Sequence, residues 1–193
     1  MDKTEELRKI KEEIVAETNL PLYNYRTENK YFPVIGEGSH DAKIIFVGEA
    51  PGLNEAKQGR PFCGSAGRML DSLLKTINLE RNSVYITNIV KDRPPENRDP
   101  LEDEIKTYAP YLVRQIEIIK PRVVVALGRH SMKFIMEKYG LLGEVSSISL
   151  IHGKIFDTQG FKFIPLYHPA VAIYNGNMKN ILEKDFKLLE QFI

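Results

Sequence analysis

Two rhythms of apolar residues divide the chain. Spacings of three and four bring Leu7, Ile10 and Ile14 onto one stripe and predict an amphipathic helix over residues 2–16. The same rhythm returns at Met69, Leu70, Leu73, Leu74 and Ile77 (helix 65–77) and at Ile181, Leu182, Phe186 and Leu189 (helix 178–192). Between these helices lie short continuous apolar runs at 43–47, 84–90, 122–127 and 161–166, which read as strands buried on both faces. A further helix is expected over 101–119, with Asp99 as its cap and Pro100 at its first position. Residues 131–139 read as a short helix. Gln159-Gly160 sits between residues 154–158 and the run at 161–166, so those two segments are expected to form a hairpin. Residues 19–41 show no period, and 140–153 read as a loop. Strands that alternate with helices call for a parallel sheet covered on both faces, an α/β architecture.

Composition narrows the class without naming it. The 193 residues are 42% apolar and 27% charged, an ordinary globular balance that suits one domain spanning 1–193, with residues 1–40 as a helix and meander packed upon it. No apolar run approaches the roughly 20 residues of a membrane helix, and the charged start shows no signal peptide, so an intracellular, cytoplasmic, non-membrane protein is expected. Cys63 is the only cysteine, which excludes an intramolecular disulfide. The histidines, at 40, 130, 152 and 168, lack zinc-type spacing, so no metal is expected. With a net charge of +1, any footprint for nucleic acid has to be local.

The candidate chemistry gathers where strands end. In open α/β sheets the loops after the carboxyl ends of strands form the binding crevice. Here those loops are 48–64, 88–100, 128–131 and 167–177, and they hold a concentration of polar and glycine residues. The first carries Glu49, Glu55, Phe62 and four glycines, but it is neither a Walker sequence nor Gly-x-Gly-x-x-Gly, so a nucleotide cofactor is a weak reading. Taken alone, its glycines are turn residues and its glutamates solvated charges. Asn88 is out of place in a strand, and if buried it needs a backbone partner or the edge of a base or amide ligand. His168 follows the last strand, where structural and catalytic roles are about equally open. Lys91, Arg93 and Arg98, with Arg60 and Arg68, form either a basic rim or a solvated loop balanced by Asp92, Glu96 and Asp99. Tyr174 and Asn175 lie in a turn-rich tip that is either a surface turn or a wedge for a nucleic-acid groove.

Five strings in order supply what the local readings lack. Gly-Glu-Ala-Pro-Gly (48–52), Gly-Arg-Pro-Phe-Cys-Gly-Ser-Ala-Gly (59–67), Thr-Asn-Ile-Val-Lys (87–91), Arg-Pro-Pro-Glu-Asn-Arg-Asp-Pro (93–100) and Tyr-His-Pro-Ala (167–170) resemble a family 4 uracil-DNA glycosylase. The resemblance covers roughly residue 32 to the end. It implies a three-layer αβα sandwich around a four-stranded parallel sheet, and removal of uracil from single- or double-stranded DNA by cleavage of the N-glycosidic bond. By the same resemblance Glu49 acts with the catalytic water or the cationic sugar, and His168 donates to uracil O2. Phe62 stacks on the base, Asn88 reads its polar edge, Glu55 is a second pocket carboxylate, and Gly48 and Ala50 contribute backbone contacts. Arg60, Lys91, Arg93, Arg98, Tyr174 and Asn175 are the expected DNA contacts. A related glycosylase for hypoxanthine or mismatched bases, and a non-catalytic uracil-DNA-binding module, are the alternatives.

One departure stands out. Family members usually hold an iron–sulfur cluster with four cysteines, two in a Cys-x-x-Cys-Pro-Leu segment, one before Arg-Pro-Pro and one before Pro-Tyr-Leu. Here Glu17-Thr18-Asn19-Leu20-Pro21-Leu22 fills the first segment, Asp92 precedes Arg93-Pro94-Pro95, and Tyr108 precedes Ala109-Pro110-Tyr111-Leu112. No cofactor is therefore expected. Either apolar packing of Leu20, Leu22 and Tyr108 or a polar tie from Asp92 to a cation has to replace the cluster's link. Cys63 reads as a small apolar filler beside Phe62. The chain is expected to be a monomer, with an abasic-site nuclease as a downstream partner.

Overall fold

A computed structural model describes residues 2–193. In chain order the helices and strands are α1 (Lys3–Ala16), α2 (Tyr23–Glu28), β1 (Glu37–Gly38), β2 (Ile44–Gly48), α3 (Leu53–Gln58), α4 (Ser65–Thr76) and β3 (Tyr85–Asn88). There follow α5 (Glu102–Ile119), β4 (Val123–Leu127), α6 (Arg129–Lys138), α7 (Ile148–Ile151), β5 (Phe156–Asp157), β6 (Lys162–Leu166), α8 (Val171–Tyr174) and α9 (Asn177–Lys187). The sheet has six strands in the order β1-β3-β2-β4-β6-β5. The expected four parallel strands, β3-β2-β4-β6, form its centre. At its edges the two-residue strands β1 and β5 pair antiparallel to β3 and β6. The β5–β6 pair is the hairpin expected around Gln159-Gly160.

The period-two pattern sorts side chains to the two faces. Ile45, Val47, Val124 and Phe163 meet α1, α5 and α6 on one side, through Ile10, Ile14, Leu112, Ile116 and Ile135. Ile44, Phe46, Val125 and Ile164 meet α4 and α9 on the other, through Leu70, Leu73, Leu74, Leu182 and Phe186. The helices on both faces let the central strands be largely apolar, with Thr87 and Asn88 polar at the carboxyl end of β3. No helix among the described residues is long and apolar enough to cross a membrane.

The start of α5 differs from its sequence signature. Leu101, not Asp99, is the capping residue, and the Glu104 carboxylate accepts the Leu101 N–H at 2.8 Å. That leaves Asp99 free to contact other groups.

The four positions where the family's cysteines would lie are occupied by groups that do not fit a cluster. Asp92 is buried and accepts 2.9 and 3.1 Å hydrogen bonds from Arg26 and a 2.6 Å bond from the Tyr108 hydroxyl. Arg26, itself buried, also donates to the Ile14 carbonyl at the end of α1. Leu20 and Leu22 pack into the core nearby, and Glu17 accepts from Asn19. Both of the expected replacements are thus present: a polar tie through Asp92 and apolar packing around it. The cation of that tie, on α2 within the stretch that showed no period, was not identifiable from sequence.

Candidate active site

Strands β2, β3, β4 and β6 are parallel, so their carboxyl ends deliver four loops to one rim. Gly48 and Asn88 are partners across the β2–β3 ladder. A Cβ on Gly48 would lie 2.3 Å from the Asn88 Oδ1 and 2.8 Å from the Phe62 ring, so only glycine lets these two groups converge. Phe62 is buried with φ +48°, a costly conformation for a bulky residue, and its surroundings hold it there. Gly67 in the first turn of α4 presses against the Phe62 carbonyl, where an added Cβ would sit 1.7 Å away. The preceding Pro61 carbonyl accepts a 2.6 Å bond from Arg81. On the far side, Glu55 Oε1 accepts the N–H groups of Cys63 and Gly64 at 3.1 and 3.0 Å.

The amide of Asn88 is the telling group. The residue is only 2% exposed, yet its side chain makes no hydrogen bond with any described residue. Its polar atoms are not sealed from solvent: among the described residues the Tyr139 hydroxyl is the one buried side-chain polar atom without a partner. Two donors and an acceptor therefore wait beside the Phe62 ring for a partner with the complementary edge.

His168 faces the same ring, with centroids 5.5 Å apart. Its Nδ1 accepts the Ala170 N–H at 3.2 Å, which assigns the ring hydrogen to Nε2. Burial pulls its pKa down to about 4, partly offset by the Glu55 charge, so at neutral pH it is an uncharged donor. Gly128, with φ +100°, lies against its Cβ.

Glu49 follows Gly48 at the end of β2. Burial pushes its carboxyl above the usual range; His130 draws it down, Asp99 pushes it up, and Arg129 draws it down. His130 Nε2 lies 3.9 Å from Glu49 Oε2 and 3.1 Å from Asp99 Oδ2. Neither Asp99 nor His130 was given a catalytic role from sequence. The available signal was position: both lie in strand-end loops that converge with the one carrying Glu49.

The expected DNA contacts separate into two groups. Lys91 is fully buried, its ammonium held by Thr87 Oγ1, the Asn88 carbonyl and Gln115 Oε1 at 2.8, 2.6 and 2.7 Å. Arg93 is also buried and donates to Asn97 and to the hydroxyls of Tyr25 and Tyr31. These two are corrections, because side chains so enclosed cannot reach phosphates. Arg60 and Arg98 remain on the surface, paired with Glu37 and Glu104. Tyr174, at the end of α8, is 88% exposed and Asn175 follows it in the open. Ala50 is half-buried against the α1–α5–α6 side of the core.

Known proteins resemble this chain over most of its length. Residues 35–190 match the uracil DNA glycosylase superfamily. A type-4 uracil-DNA glycosylase of Sulfurisphaera tokodaii is 50% identical over 190 residues, 96% of this chain and 84% of that protein. Its counterpart in Saccharolobus solfataricus is 46% identical over 82% of this chain and 74% of its own length. The type-4 enzyme of Thermotoga maritima is 40% identical over 98% of this chain and 96% of its own.

Proposed function

This chain belongs to the uracil DNA glycosylase superfamily, and from that premise we propose that it is a monofunctional DNA-repair glycosylase that removes uracil from DNA. The observation that carries the reading is the Asn88 amide, without a hydrogen bond to a described side chain, converging with the Phe62 ring over Gly48, while neutral His168 faces the same ring. A uracil turned out of the helix, at a cost of a few kcal/mol, stacks on Phe62 and offers Asn88 alternating acceptor and donor atoms. The bond from the sugar C1′ to the base nitrogen breaks, and its electron pair leaves with uracil. His168 Nε2–H donates to the oxygen on which that negative charge gathers. A neutral donor keeps its proton as the anion forms and gives electrostatic stabilisation that strengthens toward the transition state. Glu49, ionised, faces the cationic sugar and takes the proton of the water whose oxygen bonds to C1′. Free uracil and an abasic site remain.

In this reading Glu55 supports the base pocket by fixing the loop that carries Phe62. Tyr174 and Asn175 press on the DNA beside the flipped nucleotide, with Arg60 and Arg98 near phosphates. The chain works as a monomer without an iron–sulfur cluster, and its product is a substrate for an abasic-site nuclease.

The test is a labelled oligonucleotide with one uracil, incubated with the protein and treated with alkali. Strand cleavage at uracil is expected, and Asn88→Ala and His168→Ala should each lower the single-turnover rate by roughly a hundredfold. Tight binding without cleavage would overturn the assignment. The rate should rise with pH through an acid limb above the ordinary carboxylate range, because Glu49 must be ionised and its pKa is raised. His168, already neutral above about pH 4, does not set that limb.

A further inference from the structure

Of the nine phenylalanines and nine tyrosines, only two are exposed. Tyr174 is one, in the tip that follows His168. The other is Phe32, 59% exposed, on the strap that joins α2 to β1. A lone apolar side chain on a surface is ordinary, but the seat of this ring is built. The Phe32 N–H donates to the Ala56 carbonyl of α3 at 2.8 Å, and the Val34 N–H donates to the Lys91 carbonyl after β3 at 2.7 Å. Val34 itself is fully buried. The strap is thus laced to the helix that carries Glu55 and to the loop that follows Asn88. The root of the ring lies against Gly59, where a Cβ would come 3.2 Å from the Phe32 Cβ. Gly59 starts the turn that runs through Arg60 and Pro61 to Phe62. Tyr31 faces the other way and accepts from Arg93 at 3.3 Å, so the strap encloses one ring and presents the next.

The exposed residues of the strap and of α3 are polar. Lys30 and Lys57 form no ion pair with a described residue, Gln58 is uncharged, and Arg60, just past α3, is exposed while it holds Glu37. A ring set among such groups is not part of an apolar patch of the kind that protein partners cover. It fits an unpaired nucleobase: every base offers a π face, and the cations draw in the backbone that carries it. We infer that Phe32 is a stacking platform for an unpaired base that flanks the target uracil in single-stranded DNA. The inference rests on the glycosylase reading and adds a contact outside the base pocket. In a duplex the neighbouring bases stay paired and stacked on one another, so the platform favours the single strand.

The chain has no tryptophan, so Phe32→Trp introduces a single indole whose emission reports stacking. The full chain is titrated with a single-stranded oligonucleotide that carries an uncleavable uracil analogue, and the emission should be quenched. Abasic spacers then replace the flanking nucleotides one at a time, and one position should abolish the quench. Phe32→Ala should weaken single-strand binding by roughly tenfold, with Phe32→Tyr close to wild type. The logarithmic salt slope of Phe32→Ala should match that of wild type, because stacking releases no counterions. With a single-stranded uracil substrate the loss should fall on KM, with kcat within about twofold. Duplex binding should change less than single-strand binding. An indole that no oligonucleotide quenches, or a quench that no spacer relieves, would overturn the inference. So would a loss confined to kcat, which marks the strap as a support of the pocket, or a flatter salt slope, which marks a phosphate contact. A wild type that cleaves uracil while the indole stays unquenched sinks the platform alone. A wild type that neither cleaves uracil nor binds the analogue sinks the glycosylase reading with it. The ring is on the surface, so the variants should share the thermal midpoint of wild type.

Discussion

At the residue scale, Lys91 shows how a motif can be recognised and its role misread. Beside arginines in a basic loop it reads as a phosphate contact, yet its three N–H groups meet three acceptors inside the protein. One of them is the carbonyl of Asn88, so the ammonium braces the backbone of the residue proposed to read the base. Gln115 continues the brace, donating to the Ile35 carbonyl and the Tyr85 hydroxyl. Lys91→Met removes the donor and strands buried acceptors, at a cost of roughly 1–3 kcal/mol each in the worst case. Burial holds the Lys91 pKa well below its ordinary value, and no carboxylate offsets it. The unfolded chain therefore keeps its proton to higher pH than the folded chain does. Stability from this group is complete above the unfolded pKa of about 10.4 and falls as pH drops toward the folded value. The stability gap between wild type and Lys91→Met should widen from pH 7 to pH 10 in urea denaturation. A gap that narrows over that range would show that the buried amine prefers its proton.

At the element scale, the central strands and long helices were legible because each carries an unbroken period. Helix 65–77 of the expectation is α4 within one residue, and 178–192 is α9 with the short 3₁₀ turn Leu188–Phe192 that follows it. Short elements were not legible. Helices α2, α3 and α8 span four to six residues, too few to show a stripe, and tertiary contacts decide them. Helix α2 matters most, since it brings Arg26 to Asp92. The Arg26–Asp92–Tyr108 tie joins α1, α2 and α5, the segments that a cluster would otherwise link. Removing one partner of a buried pair leaves an uncompensated charge, so Arg26→Met should destabilise the protein by about 3–5 kcal/mol. The double variant Arg26→Met with Asp92→Leu removes both charges and should recover most of that loss. Chemical denaturation of the two variants checks this; equal losses in both would show that the pair acts through packing alone. Iron by elemental analysis of the same purified protein should be at background, and stoichiometric iron would refute the cluster-free reading.

At the scale of the whole molecule, the strings name the residues of the proposed pocket, but the arrangement of charge around it is not legible in them. Sequence shows which cations lie near the rim and not which way they turn. Arg60, Arg68, Lys91, Arg93 and Arg98 would together neutralise five phosphates, and the logarithmic salt dependence of duplex binding would then have a slope near −0.9 per phosphate, about −4.5. With Lys91 and Arg93 enclosed, three of those cations remain on the surface, and two of them already face carboxylates. The expected slope is therefore about −3 or shallower. Measured with an uncleavable uracil analogue in duplex DNA, Arg68→Gln should flatten the slope by roughly one unit. Arg93→Gln should leave the slope unchanged, whatever it does to stability. A slope near −4.5 that flattens in Arg93→Gln would mean that the loop after β3 opens on DNA and that Arg93 leaves Tyr25 and Tyr31 to meet phosphate. If the slope stays shallow, the net charge of +1 is what the DNA meets, and affinity has to come from the flipped base and the exposed tip at Tyr174 rather than from a basic surface.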